Sequence, residues 1–213
     1  MEPIPGSASR KASIVTAAGK TRLVALAWAA AILLSLGFGT WQLGHGLYIK
    51  AKAEVAQVLL ERAWQKTLHD GKTHKAWPWA DAWPVAKLEM PSLGRSQIVL
   101  SNASGEALAF GPGHLSGSPL PGGNGTAVIA GHRDTHFSIL NGLKNDDTVI
   151  ITIPDRSRHR YTVGGTKIVH KDYSQIDPHA GRGVAFVTCY PLDATAKGPM
   201  RYVVFASEAS GQS

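Results

Sequence analysis

Between residues 85 and 206 the chain offers no apolar stretch long enough for a packed helix. It offers eight short ones instead, at 85–90, 97–101, 126–131, 148–153, 160–163, 167–171, 184–189 and 201–206, separated by Gly, Pro, Asn and Asp. Runs of this length, broken by turn formers, bury themselves by pairing edge to edge, so a mainly β domain follows, either a closed barrel or a sandwich. Two brief helical stretches are expected to interrupt it, at 105–110 and 136–143, with long loops at 111–125 and 172–183. Loops of that length in a compact domain are usually functional. Composition agrees: 23 glycines and 12 prolines without a period exclude collagen and coiled coil, and 44% apolar against 17% charged residues excludes a disordered chain.

The upstream part is different. All six tryptophans of the 213 residues precede residue 84. From 23 to 43 there are 21 residues without Asp, Glu, Lys, Arg or His. As a helix this run is about 30 Å long, the thickness of a bilayer core, and Trp41 at its far end suits the headgroup boundary. A cleaved signal peptide has a shorter apolar region, and no small-x-small site follows this one. An uncleaved transmembrane anchor over 23–43 is therefore expected.

Residues 1–22 set Arg10, Lys11, Lys20 and Arg22 against Glu2, a net +3 of the formal +7. This basic segment should stay cytoplasmic, placing the rest outside the cytoplasm, in a periplasm for example. The other +4 is scattered without a dense basic patch, so nucleic-acid binding is excluded. Over 44–84 a helical stalk and linker is expected. Tyr48, Ala51, Val55, Val58, Leu59 and Ala63 recur at helical spacing, Gly71 stops the helix, and Trp77-Pro78-Trp79 and Trp83-Pro84 prevent it resuming. The β domain then occupies 85–207, and 208–213 form a short tail.

One cysteine excludes an internal disulfide and a multi-thiolate zinc site. Cys189 ends one apolar run and Arg201 begins the next. If the two strands form a hairpin through the 191–200 loop, thiol and guanidinium lie on neighbouring strands about 4.8 Å apart. A nearby cation favours the nucleophilic thiolate. His132 ends another strand and could move protons near neutral pH, but 57 residues separate it from Cys189. Taken singly, each has a plainer reading: a small buried hydrophobe, a strand-edge charge, and one of nine histidines. Asp134 either orients His132 or caps a turn, and Asn145-Asp146-Asp147 fits a turn better than a cation site. No metal or cofactor is expected.

These residues carry a resemblance. Thr188-Cys189 at the end of Ala185-Phe186-Val187-Thr188-Cys189 resembles the TLxTC strand of the sortases, membrane-anchored cysteine transpeptidases, although Ala185 and Phe186 depart from the usual Thr-Leu. His132 in Ala-Gly-His-Arg-Asp-Thr and Arg201 on the following strand match the family's histidine and arginine. The likeness runs over 85–206, and the phrases around His132 and Cys189 look most like sortases of Gram-negative bacteria.

The resemblance implies a closed eight-stranded barrel. It implies that Cys189 attacks a sorting signal similar to LPxTG near the C-terminus of a secreted partner, that His132 serves as acid and base, and that Arg201 stabilises the oxyanion. An amine acceptor would then take the acyl group. Thr188 and Asp134 would support the site, and Ile176 in the 172–183 loop would contact substrate. Two alternatives share the same residues: a cysteine hydrolase that releases the acyl group to water, and a non-catalytic, membrane-tethered binding barrel.

Overall fold

A computed structural model describes residues 8–173, 176–194 and 198–209, with side chains except those of 8–25, 27, 49 and 50. The chain divides into two compact units, 1–52 and 53–213. Helix α1 runs over Ala8–Asp70, so the expected anchor and stalk are one continuous element. It ends as the sequence requires: Gly71 turns left-handed at φ 72° and its N–H bonds the Thr67 carbonyl at 2.9 Å.

In the first unit, the described side chains from Leu26 onward, Leu34 and Trp41 among them, are largely exposed. Among the described residues no helix is long and apolar enough to cross a membrane. Side chains 23–25 and 27 of the expected span lie outside the described residues, as do those of the basic segment 1–22 and residues 210–213 of the tail.

The second unit is built on eight strands: β1 (Pro84–Met90), β2 (Arg95–Leu100), β3 (Gly113–His114), β4 (Thr126–Ala130), β5 (Thr148–Thr152), β6 (Arg158–His170), β7 (Gly183–Cys189) and β8 (Met200–Glu208). They close a barrel in the order β1-β2-β3-β4-β7-β8-β6-β5, with β5 returning to β1. The β2–β3 and β4–β7 pairs are parallel and the rest antiparallel.

The eight strands are not quite the eight expected. The runs at 160–163 and 167–171 are one strand, because Gly164-Gly165 absorbs a bulge against β8, with Gly165 at φ 151°, instead of making a turn. The missing strand is β3, inside the expected 111–125 loop. It has no apolar alternation to announce it, and Gly113 is held against Asn102 so closely that a Cβ would collide with the Asn102 carbonyl. Both expected helical stretches shorten to 3-10 turns, Ala107–Ala109 and Ser138–Gly142.

Alternation builds the core. β1 points every second residue inward, and Leu88, Met90, Ile129, Ile151, Phe186 and Val204 fill the barrel with Phe137 from the loop after β4. The second unit also takes in the last turns of α1. Leu60 and Trp64 are buried against Ala82, Ile98, Leu100 and Ala107 on the barrel's flank. The contact is reinforced by Gln57 Nε2 donating to the Phe110 carbonyl (2.7 Å), by Lys87–Glu61 (3.1 Å), and by Arg156 Nη2 donating to the Leu68 carbonyl (2.9 Å). Trp77 packs edge-on against Phe110 at 4.8 Å, whereas Trp79 stays exposed.

At the lower end of the barrel, Glu208 accepts from Arg182 (3.3 Å) and lies 3.2 Å from His159 Nδ1. Arg182 also donates to the Gly122 carbonyl (3.2 Å), and the Gly122 N–H donates to the Tyr161 hydroxyl (2.8 Å). Burial pushes the Tyr161 phenol up to about 12, so it remains a neutral acceptor. This cluster fastens the loops before β4 and before β7, which roof the groove described next.

Candidate active site

The β7–β8 hairpin sets the chemistry. Cys189 pairs directly with Arg201, Val187 with Val203 and Ala185 with Phe205. The Tyr190 N–H donates to the Met200 carbonyl at 3.0 Å, so Tyr190–Met200 is a hydrogen-bonded pair and Cys189–Arg201 a non-hydrogen-bonded one. In such pairs the Cα atoms approach to about 4.5 Å and the side chains are closest. Thiol and guanidinium therefore share one face of the hairpin, as the local sequence predicts. Cys189 is a free thiol and part-exposed, not walled off in the core. Arg201 Nη1 donates to the Gly198 and Met200 carbonyls, both at 2.9 Å. Its other N–H groups have no hydrogen-bond partner among the described residues, which leaves them available for a ligand.

The segment leading to His132 is tied to β7 by non-local contacts. β4 runs parallel to β7 with Ala130 opposite Val187, and the Gly131 N–H extends the ladder by donating to the Val187 carbonyl at 3.1 Å. His132 follows directly on this paired stretch, at the end where β7 reaches Cys189. Buried Thr188 fixes the alignment: its hydroxyl donates to the Gly131 carbonyl at 2.8 Å. Gly131 cannot carry a side chain, because a Cβ would sit 2.7 Å from the Phe137 ring. That ring is fully buried and meets Phe186 edge-on at 6.0 Å. The segment carrying His132 is thus pinned on both sides while the histidine itself is exposed.

Two residues missed in the sequence belong to this segment. Arg133 is buried, and its Nη1 donates to the Pro191 carbonyl at 2.9 Å, tying the histidine segment to the loop after Cys189. His136 sits near enough to His132 for their charges to interact. Burial, then the charge interaction with His132, hold its pKa below the usual histidine value against a hydrogen bond to Ala109, and the lowered pKa favours its neutral form. Both lie within five residues of His132, yet one histidine among nine and one arginine among many give no signal until the chain is folded. Asp134 is exposed and makes no hydrogen bond to His132, so the structure gives it no orienting contact.

The outer face of β4, β7, β8 and β6 floors a groove of about 810 Å³. Val187, Val203 and Phe205 line the floor, Leu115 and Pro178 stand on the roof loops, and Arg201 closes one end. Ile176 lines it, packed against the cluster of Val128, Ala185 and Val203. Asp146 and Asp147 serve the turn before β5: Asp146 adopts φ 70° and Asp147 accepts from the Lys144 N–H at 2.9 Å. Among the described residues no cluster of His, Cys, Asp or Glu is placed to hold a metal ion.

A closed mixed barrel that pairs a thiol with a guanidinium at the end of a peptide-sized apolar groove defines a narrow class of protein. The chain belongs to the sortase family: the sortase domain matches residues 88–209. It is 29% identical over 125 residues to sortase D of Bacillus subtilis, covering 58% of this chain and 63% of that one. Its fold resembles sortase A from Corynebacterium diphtheriae, with a TM-score of 0.55 and 25% identity over 63% of this chain and 64% of the other. It also resembles the catalytic domain of Bacillus anthracis SrtD, with a TM-score of 0.51 and 30% identity over 60% and 88% of the two chains. The chain thus spans less than two thirds of the B. subtilis and C. diphtheriae relatives. These relatives come from Gram-positive bacteria, and the likeness to a Gram-negative subgroup finds no support in them.

Proposed function

We propose that this chain is a cysteine transpeptidase. It cleaves a sorting signal similar to LPxTG in a secreted partner protein and passes the acyl group to an amine. The reading is carried by one observation, the pairing of Cys189 with Arg201 on a face that also takes up the end of the His132 strand.

The Cys189 thiolate attacks the carbonyl carbon of the residue before the scissile bond. The unengaged N–H groups of Arg201 face the developing oxyanion; a donor of this kind is typically worth about 3 kcal/mol. His132 as imidazolium gives its proton to the leaving amine as the C–N bond breaks, and a thioester remains on Cys189. His132, now neutral, takes the proton of the incoming amine as it attacks, and Cys189 leaves as thiolate. Thr188 and Arg133 hold the three groups in register, and Ile176 contacts the bound peptide.

The uncharged run at 23–43, about the length of a bilayer core, and the basic residues before it support a single-pass anchor with the catalytic unit outside the cytoplasm.

The test is to incubate the protein with an LPxTG-type peptide and an added amine. Ligated product that disappears in Cys189→Ala supports transpeptidation. Free acid as the only product at saturating amine would make the protein a hydrolase, and processing by Cys189→Ala would end the mechanism.

A further inference from the structure

The groove is charged on one side only. Lys167 and Val169 alternate along β6, Lys171 follows just past its end, and all three line the groove. Lys167 is opposite Val203, and Val169 opposite Arg201, so Lys167 lies one row from the reactive pair. Among the described residues, no Asp or Glu lines the groove. The acids nearby are engaged or turned to other partners: Asp172 pairs with Lys171 at 3.1 Å, and Asp177 accepts from the His179 N–H at 2.9 Å. Lys167 meets no carboxylate among the described residues. Its ammonium is held instead over the ring of Phe205, 5.8 Å from the centroid, on the groove floor. An aromatic face attracts a cation without neutralising it.

Resting on the reading above, we propose that Lys167 is a specificity-determining residue that selects an acidic side chain at the variable position of the sorting signal. A row along a strand is about 7 Å, and β6 lies two strands, or about 10 Å, from Cys189. In an extended peptide the variable residue directly precedes the threonine whose carbonyl is attacked, about 3.4 Å back along the chain. The combined reach of a lysine and a glutamate side chain spans the remaining separation. A lysine in the same place would meet Lys167 and Arg201, with the Lys171 charge offset by Asp172.

Part-exposed charge pairs are modest and screened by salt, so the expected preference for Glu over Gln is about 2- to 5-fold in kcat/KM. The experiment compares three peptides, LPETG, LPQTG and LPKTG, at low and high salt, with the wild-type chain, Lys167→Gln and Lys167→Glu. The expected order is Glu over Gln over Lys for the wild type, narrowing with salt. The order should flatten in Lys167→Gln and reverse in Lys167→Glu. Equal use of all three peptides by the wild type, or an unchanged order in Lys167→Glu, would overturn the assignment while leaving the transpeptidase reading intact. Failure to process any of the three would instead count against that reading.

Discussion

The side chain that aligns the site is Thr188, and its replacement by valine isolates one interaction. Thr188 is buried at 2% exposure, so valine fills the same space. What is lost is the 2.8 Å hydrogen bond to the Gly131 carbonyl, which has no other hydrogen-bond partner among the described residues. An orphaned buried acceptor costs about 1–3 kcal/mol. For a unit of roughly 160 residues each kcal/mol moves Tm by about 2–4 °C, so Thr188→Val should lower Tm by about 4–8 °C at the middle of that range. The kinetic effect follows from position. The lost bond joins β7 to the residue before His132, and a shift of about 1 Å between nucleophile and proton donor can cost about 100-fold. The loss should fall on kcat and leave KM nearly unchanged, because the groove is lined by other residues. Differential scanning calorimetry and steady-state transpeptidation on the same preparations read both effects. Thr188→Ser, which keeps the hydroxyl, should recover most of kcat. A valine variant that melts with the wild type and keeps its kcat would show that the bond does not hold the two strands in register.

Two further expectations come from the same structure. Trp64→Ala should destabilise the second unit by about 3–5 kcal/mol, read by chemical denaturation, because the indole is fully buried between α1 and the barrel. Trp64→Phe should lose much less, since the indole N–H has no hydrogen-bond partner among the described residues. His136 gives a pH signature. Its folded pKa is held below the ordinary value of 6.5, so at mildly acidic pH the unfolded chain binds more protons than the folded one. Its contribution is therefore present above 6.5 and is lost as pH falls through the folded value. His136→Gln, neutral throughout, should lose less Tm between pH 7.5 and pH 5 than the wild type; an identical loss would contradict the assigned burial.

The Cys189–Arg201 pair was legible in the sequence because a hairpin is a local object. Once two apolar runs flank a short loop, the end of one must face the start of the next, and alternation decides which side chains share a face. The strand pattern and the Gly71 stop were legible for the same reason, since each depends on a few adjacent residues. Gly164-Gly165 shows where local reading fails. The same dipeptide can make a turn or absorb a bulge, and only the continuous partner β8 selects the bulge. β3 was invisible because two residues cannot show a period.

The rest of the site required the folded chain. The strand leading to His132 is brought to β7 by a parallel pairing, which no short loop can impose. Arg133 is buried and the His136 pKa lowered only because segments distant in sequence close over them. Lys167 faces the groove only because β6 is a single strand. Alternation and turn chemistry act over a few residues, so the sequence shows them directly. Parallel register, burial and the field in a groove are sums over distant segments, and they exist only once the barrel has closed.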